Sequence, residues 1–218
     1  MLKVKNLFLR YTREFYALYN INIDIEENEK VAFVGQDESG KTSLIRIFAK
    51  LEKMTKGEVY IKDIPLEKLN YKTDISAGYI PACPVFLEKK SVYENFKYVL
   101  KGWGLSDNEI ESKINDTIIE YSLEKIKDTK IKDLSMEEKY VLSLIRLTFR
   151  ELEFLMVDNI FDNLTQTTLE VVISLIKTLA TKKTTLIVAT TREEIASKLC
   201  KRKIYFKHGS IVNSLDKE

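Results

Sequence analysis

The 218-residue chain is poor in the residues that punctuate or specialise a sequence: seven glycines, three prolines, two cysteines, one tryptophan and one histidine. So little glycine and proline leaves no Gly/Pro-rich linker, and no repeat or low-complexity tract is present. Cys83 and Cys200 lie far apart without CxxC spacing, which argues against a zinc or dithiol site and for a cytosolic setting. No stretch approaches the roughly 20 apolar residues of a bilayer span. The first residues, MLKVKNLFLRYTREF, carry a charge every few positions, which is not the pattern of a signal peptide. Work at a membrane therefore requires another chain to hold this one there. Net charge is also scarce. Lys+Arg of 35 against Asp+Glu of 33 leaves +2, too little to draw nucleic acid or an anionic lipid surface. The run Lys201-Arg202-Lys203 reads as a solvated face.

What is present is an ordinary globular balance, 44% hydrophobic and 31% charged, with ample apolar material for a core. The length suits one fairly large domain or two small ones. Segments 2–10 and 20–25 alternate apolar and polar residues, the period of a half-buried strand. Val31-Ala32-Phe33-Val34 is a continuous apolar run ending at Gly35, as in a strand buried on both faces. Leu44, Ile47, Phe48 and Leu51 then recur at helical spacing, which predicts a helix from about Lys41, and 57–61 returns to strand. Between 86 and 133, Leu100, Ile110, Ile114, Ile118 and Leu123 predict two or three amphipathic helices. A helix is expected over 135–150. Two buried strands follow at Phe154–Val157 and Thr185–Ala189, with a helix around 166–180 between them. Alternating strands and helices predict an α/β fold on a parallel sheet, with the helical block as an insertion.

The strongest local signal is Gly35-Gln36-Asp37-Glu38-Ser39-Gly40-Lys41-Thr42, which fits GxxxxGK[ST] between a buried strand and an amphipathic helix. A glycine-bearing loop turns successive backbone N–H groups around a polyphosphate, and the helix behind it offers its positive end. Lys41 would reach the β and γ phosphates and the Thr42 hydroxyl would ligate Mg²⁺. Gly35, Ser39, Gly40, Lys41, Thr42 and Ser43 are the expected nucleotide-binding residues. Asp37 and Glu38 set two carboxylates in the same loop, and their repulsion opposes tight binding unless they point to solvent.

With this loop in place, the order of the remaining segments resembles the ATP-binding-cassette (ABC) ATPases along nearly the whole chain. Gly57-Glu58-Val59-Tyr60-Ile61 resembles the strand after the P-loop helix. Ala77-Gly78-Tyr79-Ile80-Pro81 resembles the lead-in to the Q-loop, and Ser91-Val92-Tyr93-Glu94-Asn95 the segment after it. Asp133-Leu134-Ser135 sits where the signature motif begins. Phe154–Asp158 resembles the Walker B strand, and Lys207–Val212 the late hairpin. Asn163-Leu164 is similar to the sugar-importer ATPases. The resemblance implies a P-loop NTPase fold: a parallel core sheet, an N-terminal antiparallel β subdomain and an inserted helical subdomain. Residues 1–218 would form a single domain, with 1–85 and 151–218 as core and β subdomain and about 86–134 as insert. It also implies ATP and Mg²⁺ as ligands, the metal held by Thr42 and Asp158. The adenine would stack on an aromatic of the N-terminal loop, Tyr11 or alternatively Tyr16, though either also fits an ordinary strand tyrosine.

The departures from the family pattern all fall on its chemistry. The Q-loop glutamine is replaced by Ala82. The signature LSGGQ reads Leu134-Ser135-Met136-Glu137-Glu138, with a side chain and two carboxylates where a γ-phosphate should dock. The glutamate that polarises water after Asp158 is Asn159, whose amide is no general base. The D-loop aspartate position reads Thr165. The switch histidine, expected right after the Thr185–Ala189 strand, falls on Thr190, and the sole histidine, His208, belongs to the late hairpin. Asp162 is the nearby candidate for a replacement base.

The resemblance thus implies a catalytically degenerate ATP-binding subunit, the regulatory half of a dimer with another ABC subunit. It would sit in the cytoplasm on the inner face of the membrane, against a transmembrane permease, with no nucleic-acid partner. A pseudo-ATPase scaffold with little nucleotide binding and an active transporter ATPase are the alternatives.

Overall fold

The computed structural model describes residues 1–12, 14–162 and 164–213. Asn163, part of the sugar-importer resemblance, lies outside them.

The chain falls into two compact units. The first comprises residues 1–82, 152–163 and 176–218, and the second 83–151 and 164–175.

The first unit holds two sheets. The strands β1 (Leu2–Arg10), β2 (Tyr16–Ile25), β4 (Lys56–Ile61) and the short β5 (Ile64–Pro65) form an antiparallel sheet in the order β2-β1-β4-β5. The strand expected over 20–25 begins at Tyr16 because β1 and β2 pair through three register shifts. Each shift breaks the period of two, so that Ala17 and Leu18 are both buried and alternation no longer marks the strand.

The second sheet runs β10 (Ser210–Val212), β9 (Arg202–Lys207), β3 (Lys30–Val34), β8 (Thr185–Thr190), β7 (Phe154–Asp158) and β6 (Ala77–Ile80). All neighbours are parallel except the terminal β10–β9 hairpin. The inner strands β7 and β8 are buried at every position, which is why they read as unbroken apolar runs. One apolar core joins Leu44, Ile45 and Phe48 of α1 (Lys41–Phe48) with Phe33, Met156, Ile187 and Phe206. The site is therefore built at the carboxyl ends of parallel strands, backed by rigid packing.

The second unit contains α2 (Val92–Gly102), α3 (Asp107–Glu120) and α4 (Met136–Ile145). Each begins with a reciprocal capping box: Ser91 with Glu94, Ser106 with Glu109, and Ser135 with Glu138. The helix expected over 135–150 ends early, and 146–149 form a 3₁₀ turn. Thr148 Oγ1 donates to the Ile145 carbonyl at 2.7 Å, taking an acceptor that a continuing α-helix would use. The helix α5 (Gln166–Leu179) begins in this unit and ends in the first. α6 (Glu193–Leu199) closes the set. Among the described residues, no helix is long and apolar enough to cross a membrane.

Candidate nucleotide site

The loop 35–40 leaves the end of β3 and enters α1 through Gly40, whose φ of 102° is left-handed. A Cβ there would stand 2.7 Å from the Ala17 carbonyl oxygen, and one on Gly35 would stand 2.3 Å from that of Phe206. Both are backbone atoms that cannot step aside, so the two motif glycines are steric requirements of this loop. The late hairpin braces it: the Gly209 N–H donates to the Ser39 carbonyl at 3.1 Å, and the Tyr19 N–H to the Gly209 carbonyl at 2.8 Å.

Lys41 is 4% exposed, and its Nζ donates to the carbonyls of Gly35 (2.8 Å) and Gln36 (2.7 Å) and to Ser39 Oγ (3.0 Å). Burial pulls the ammonium below its usual range, opposed by the charges of Asp37, Asp158 and Asp162. A phosphate entering the loop supplies a fourth countercharge to a cation already positioned. Thr42 Oγ1 donates to Asp158 Oδ1 at 2.8 Å. Asp158 is 1% exposed, and burial raises its carboxyl above the ordinary range despite hydrogen bonds from Thr42 and Tyr79 and the nearby Lys41 charge. A hydroxyl beside one buried carboxylate fits Mg²⁺, which takes few protein oxygens and completes its shell with phosphate and water. Among the described residues no group of three or more His, Cys, Asp or Glu side chains could hold a metal ion.

A hollow of about 350 Å³ lies over the loop, lined by Gly40, Lys41 and Thr42 below and by Tyr11 and Phe15 beside them. Tyr11 hydrogen-bonds Ser43 through its hydroxyl at 3.2 Å. Tyr16, the alternative for the base, packs edge-on against Phe8 and Tyr19 and does not line this hollow. Asp37 and Glu38 are exposed and also line it, Glu38 with a left-handed φ of 62°.

Asn159 reaches the same hollow, with φ 46° and an Oδ1 that is buried without a hydrogen-bond partner. Ala82 is exposed after β6. β8 extends one residue further than expected, so Thr190 is its last strand residue, fully buried, with its hydroxyl accepting from the Arg192 N–H at 3.0 Å. The residue right after the strand is Thr191, whose hydroxyl donates to Asp162 Oδ1 at 3.3 Å.

In the second unit, the signature-position carboxylates are both engaged. Glu138 accepts from the N–H and hydroxyl of Ser135 (2.8 and 2.7 Å) at the start of its own helix. Glu137 accepts from the Thr165 N–H (2.7 Å), the Thr165 hydroxyl (3.0 Å) and the Thr168 hydroxyl at the start of α5. Met136 is half-exposed. The S-x-x-E spacing of a capping box announces Glu138 in the sequence. Nothing local announces Glu137, whose partners lie some 30 residues on. Two further residues escape the sequence reading: Tyr79, whose hydroxyl donates to Asp158 Oδ2 at 3.4 Å, and Phe15. An aromatic in the turn between β1 and β2 is the only sequence signal for the latter.

A strand-end glycine loop, its lysine and a Thr–Asp pair over a parallel sheet define a P-loop nucleotide-binding domain. A family model described as "ABC transporter" matches residues 18–162, and the chain belongs to that family. It is 26% identical to the methionine import ATP-binding protein MetN of Clostridioides difficile, over all of this chain and 69% of that protein. It is 25% identical to the sn-glycerol-3-phosphate import ATP-binding protein UgpC of Psychromonas ingrahamii, over 75% of this chain and 43% of that one. The chain thus spans about two-thirds or less of the length of these curated relatives. Among solved structures it is similar to the ATP-binding cassette MJ0796, a dimer in a post-hydrolysis state bound to ADP and Pi. The TM-score is 0.84 and the identity 26%, over 97% of this chain and 96% of that one.

Proposed function

We propose that this chain is the nucleotide-binding subunit of an ABC-type importer that holds ATP with Mg²⁺ and hydrolyses it very slowly or not at all. One contrast carries the reading. The phosphate and metal side is complete, with Lys41 inside the loop and Thr42 at 2.8 Å from Asp158, while the position of the general base is the amide Asn159. An amide among the residues that line the hollow cannot take a water's proton. The self-capped start of α4 adds to this. The Ser135 N–H donates to the Glu138 carboxylate and the Glu138 N–H to Ser135 Oγ, which leaves fewer N–H groups and a negative charge where a partner's γ-phosphate would dock. Tyr11, Gly35, Ser39, Gly40, Lys41, Thr42 and Ser43 bind the nucleotide, and Thr42 with Asp158 holds the metal.

The printed roles of the relatives, methionine and sn-glycerol-3-phosphate import, support import. A subunit of this kind is regulatory, paired with a competent ABC subunit and held on the inner face of the membrane by a permease. Residues 1–218 act as one cassette whose helical insert is centred on 86–134. A second reading, a scaffold with little nucleotide binding, draws support from Asp37 and Glu38, which put two carboxylates at the hollow.

Calorimetric titration of Mg-ATP separates the two. Micromolar binding lost in Lys41→Ala, and stripped of its metal dependence in Asp158→Asn, supports the subunit. Absence of binding at millimolar Mg-ATP supports the scaffold.

A further inference from the structure

We infer that Phe15 is the second wall of the base site, forming with Tyr11 a two-ring clamp that grips the flat heterocycle of a nucleotide by its faces. The inference rests on the nucleotide reading above and extends it to a residue outside the P-loop signature.

The two rings stand nearly parallel, 17° apart in plane with centroids 6.4 Å apart. A flat base between two rings needs about 7 Å, two carbon–carbon van der Waals spacings. The two rings stack on each other in this structure, so the turn must part them for a base to enter. The turn is defined by hydrogen bonds rather than by core packing. The Tyr11 N–H donates to the Phe15 carbonyl, and the Phe15 N–H to Thr12 Oγ1, both at 3.2 Å. Tyr11 is anchored toward α1 by its bond to Ser43, whereas Phe15 has Tyr11 as its one ring neighbour among the described residues.

Exposure points the same way. Tyr11 is 54% and Phe15 55% exposed, yet both line the hollow that contains Lys41 and Thr42. Two exposed rings beside a phosphate loop are available for a ligand to cover. The other exposed aromatics of this sheet, Tyr16 and Tyr19, are already packed edge-on with Phe8 and with each other. The Tyr11 hydroxyl is committed to Ser43, so the rings offer stacking rather than edge recognition.

The test titrates the full chain with Mg-ATP and, as a base-free probe, with Mg-tripolyphosphate. Base–aromatic stacking of ordinary strength predicts that Phe15→Ala weakens ATP at least about fivefold. Tripolyphosphate affinity should be unchanged, and Phe15→Trp should restore ATP binding. Because Phe15 lies outside the core, thermal melts of both variants should match the parent. ATP affinity unchanged in Phe15→Ala, with Lys41→Ala losing both ligands, overturns the clamp and leaves the nucleotide reading standing. A parent chain that binds neither probe overturns both.

Discussion

The carboxylate of Glu137 accepts the backbone N–H of Thr165 at 2.7 Å and its hydroxyl at 3.0 Å, tying the start of α4 to the start of α5. A side chain that looks like a defect in a phosphate-docking motif is thus a helix cap for a different helix. The hydrogen bonds from Thr168 and from the Thr165 N–H hold this carboxyl below its ordinary value of 4.5. A depressed carboxyl stabilises the fold above its unfolded pKa, and that contribution is lost as pH falls through the folded value. Thermal melts taken downward from neutral pH should show the parent losing stability below about pH 4.5 more steeply than Glu137→Gln. Parallel curves would refute the cap.

Gly40→Ala asks a left-handed residue to carry a Cβ placed 2.7 Å from a backbone oxygen. The strain is worth about 1–3 kcal/mol from the backbone alone. Chemical denaturation should show a loss at least that large, together with loss of nucleotide binding. Gly102→Ala is the control, because its Cβ would meet nothing within 4 Å.

Tyr79 donates a 3.4 Å hydrogen bond to Asp158, the ligand proposed for the metal. Burial raises its phenol well above the usual range, so it stays a donor at any working pH. Tyr79→Phe should weaken Mg-ATP binding by between about twofold and tenfold, the worth of one hydrogen bond. ATP binding in the presence of a chelator should not change. An equal loss with and without metal would mean that the residue only packs.

Asn159→Glu restores a carboxylate at the position of the general base. Such a group contributes about 10²–10⁴-fold where the rest of a site is in place. Here α4 still caps itself and a threonine, Thr191, still follows β8, so steady-state turnover should rise by less than about tenfold. A rise into the full range would show that Asn159 is the single lesion.

The contrast between legible and illegible residues has a physical basis. Val31–Val34, Phe154–Val157 and Thr185–Ala189 are legible because burial on both faces demands nearly unbroken apolar runs. The loop was legible because phosphate binding demands fixed glycine spacing. Tyr16–Tyr19 escaped because register shifts dissolve alternation, and the early end of α4 because a threonine hydroxyl competes for a carbonyl. Glu137, Tyr79 and Phe15 matter only through partners distant in sequence or across a turn, which periodicity does not encode.

The central claim is that ATP leaves the site unhydrolysed. The most direct measurement loads the purified chain with Mg²⁺ and ATP radiolabelled at the γ-phosphate, then follows bound label and released phosphate in one sample. The account predicts saturable binding that requires Lys41, with the label remaining in ATP over many dissociation times. Mg²⁺-dependent phosphate release that Lys41→Ala abolishes would contradict it.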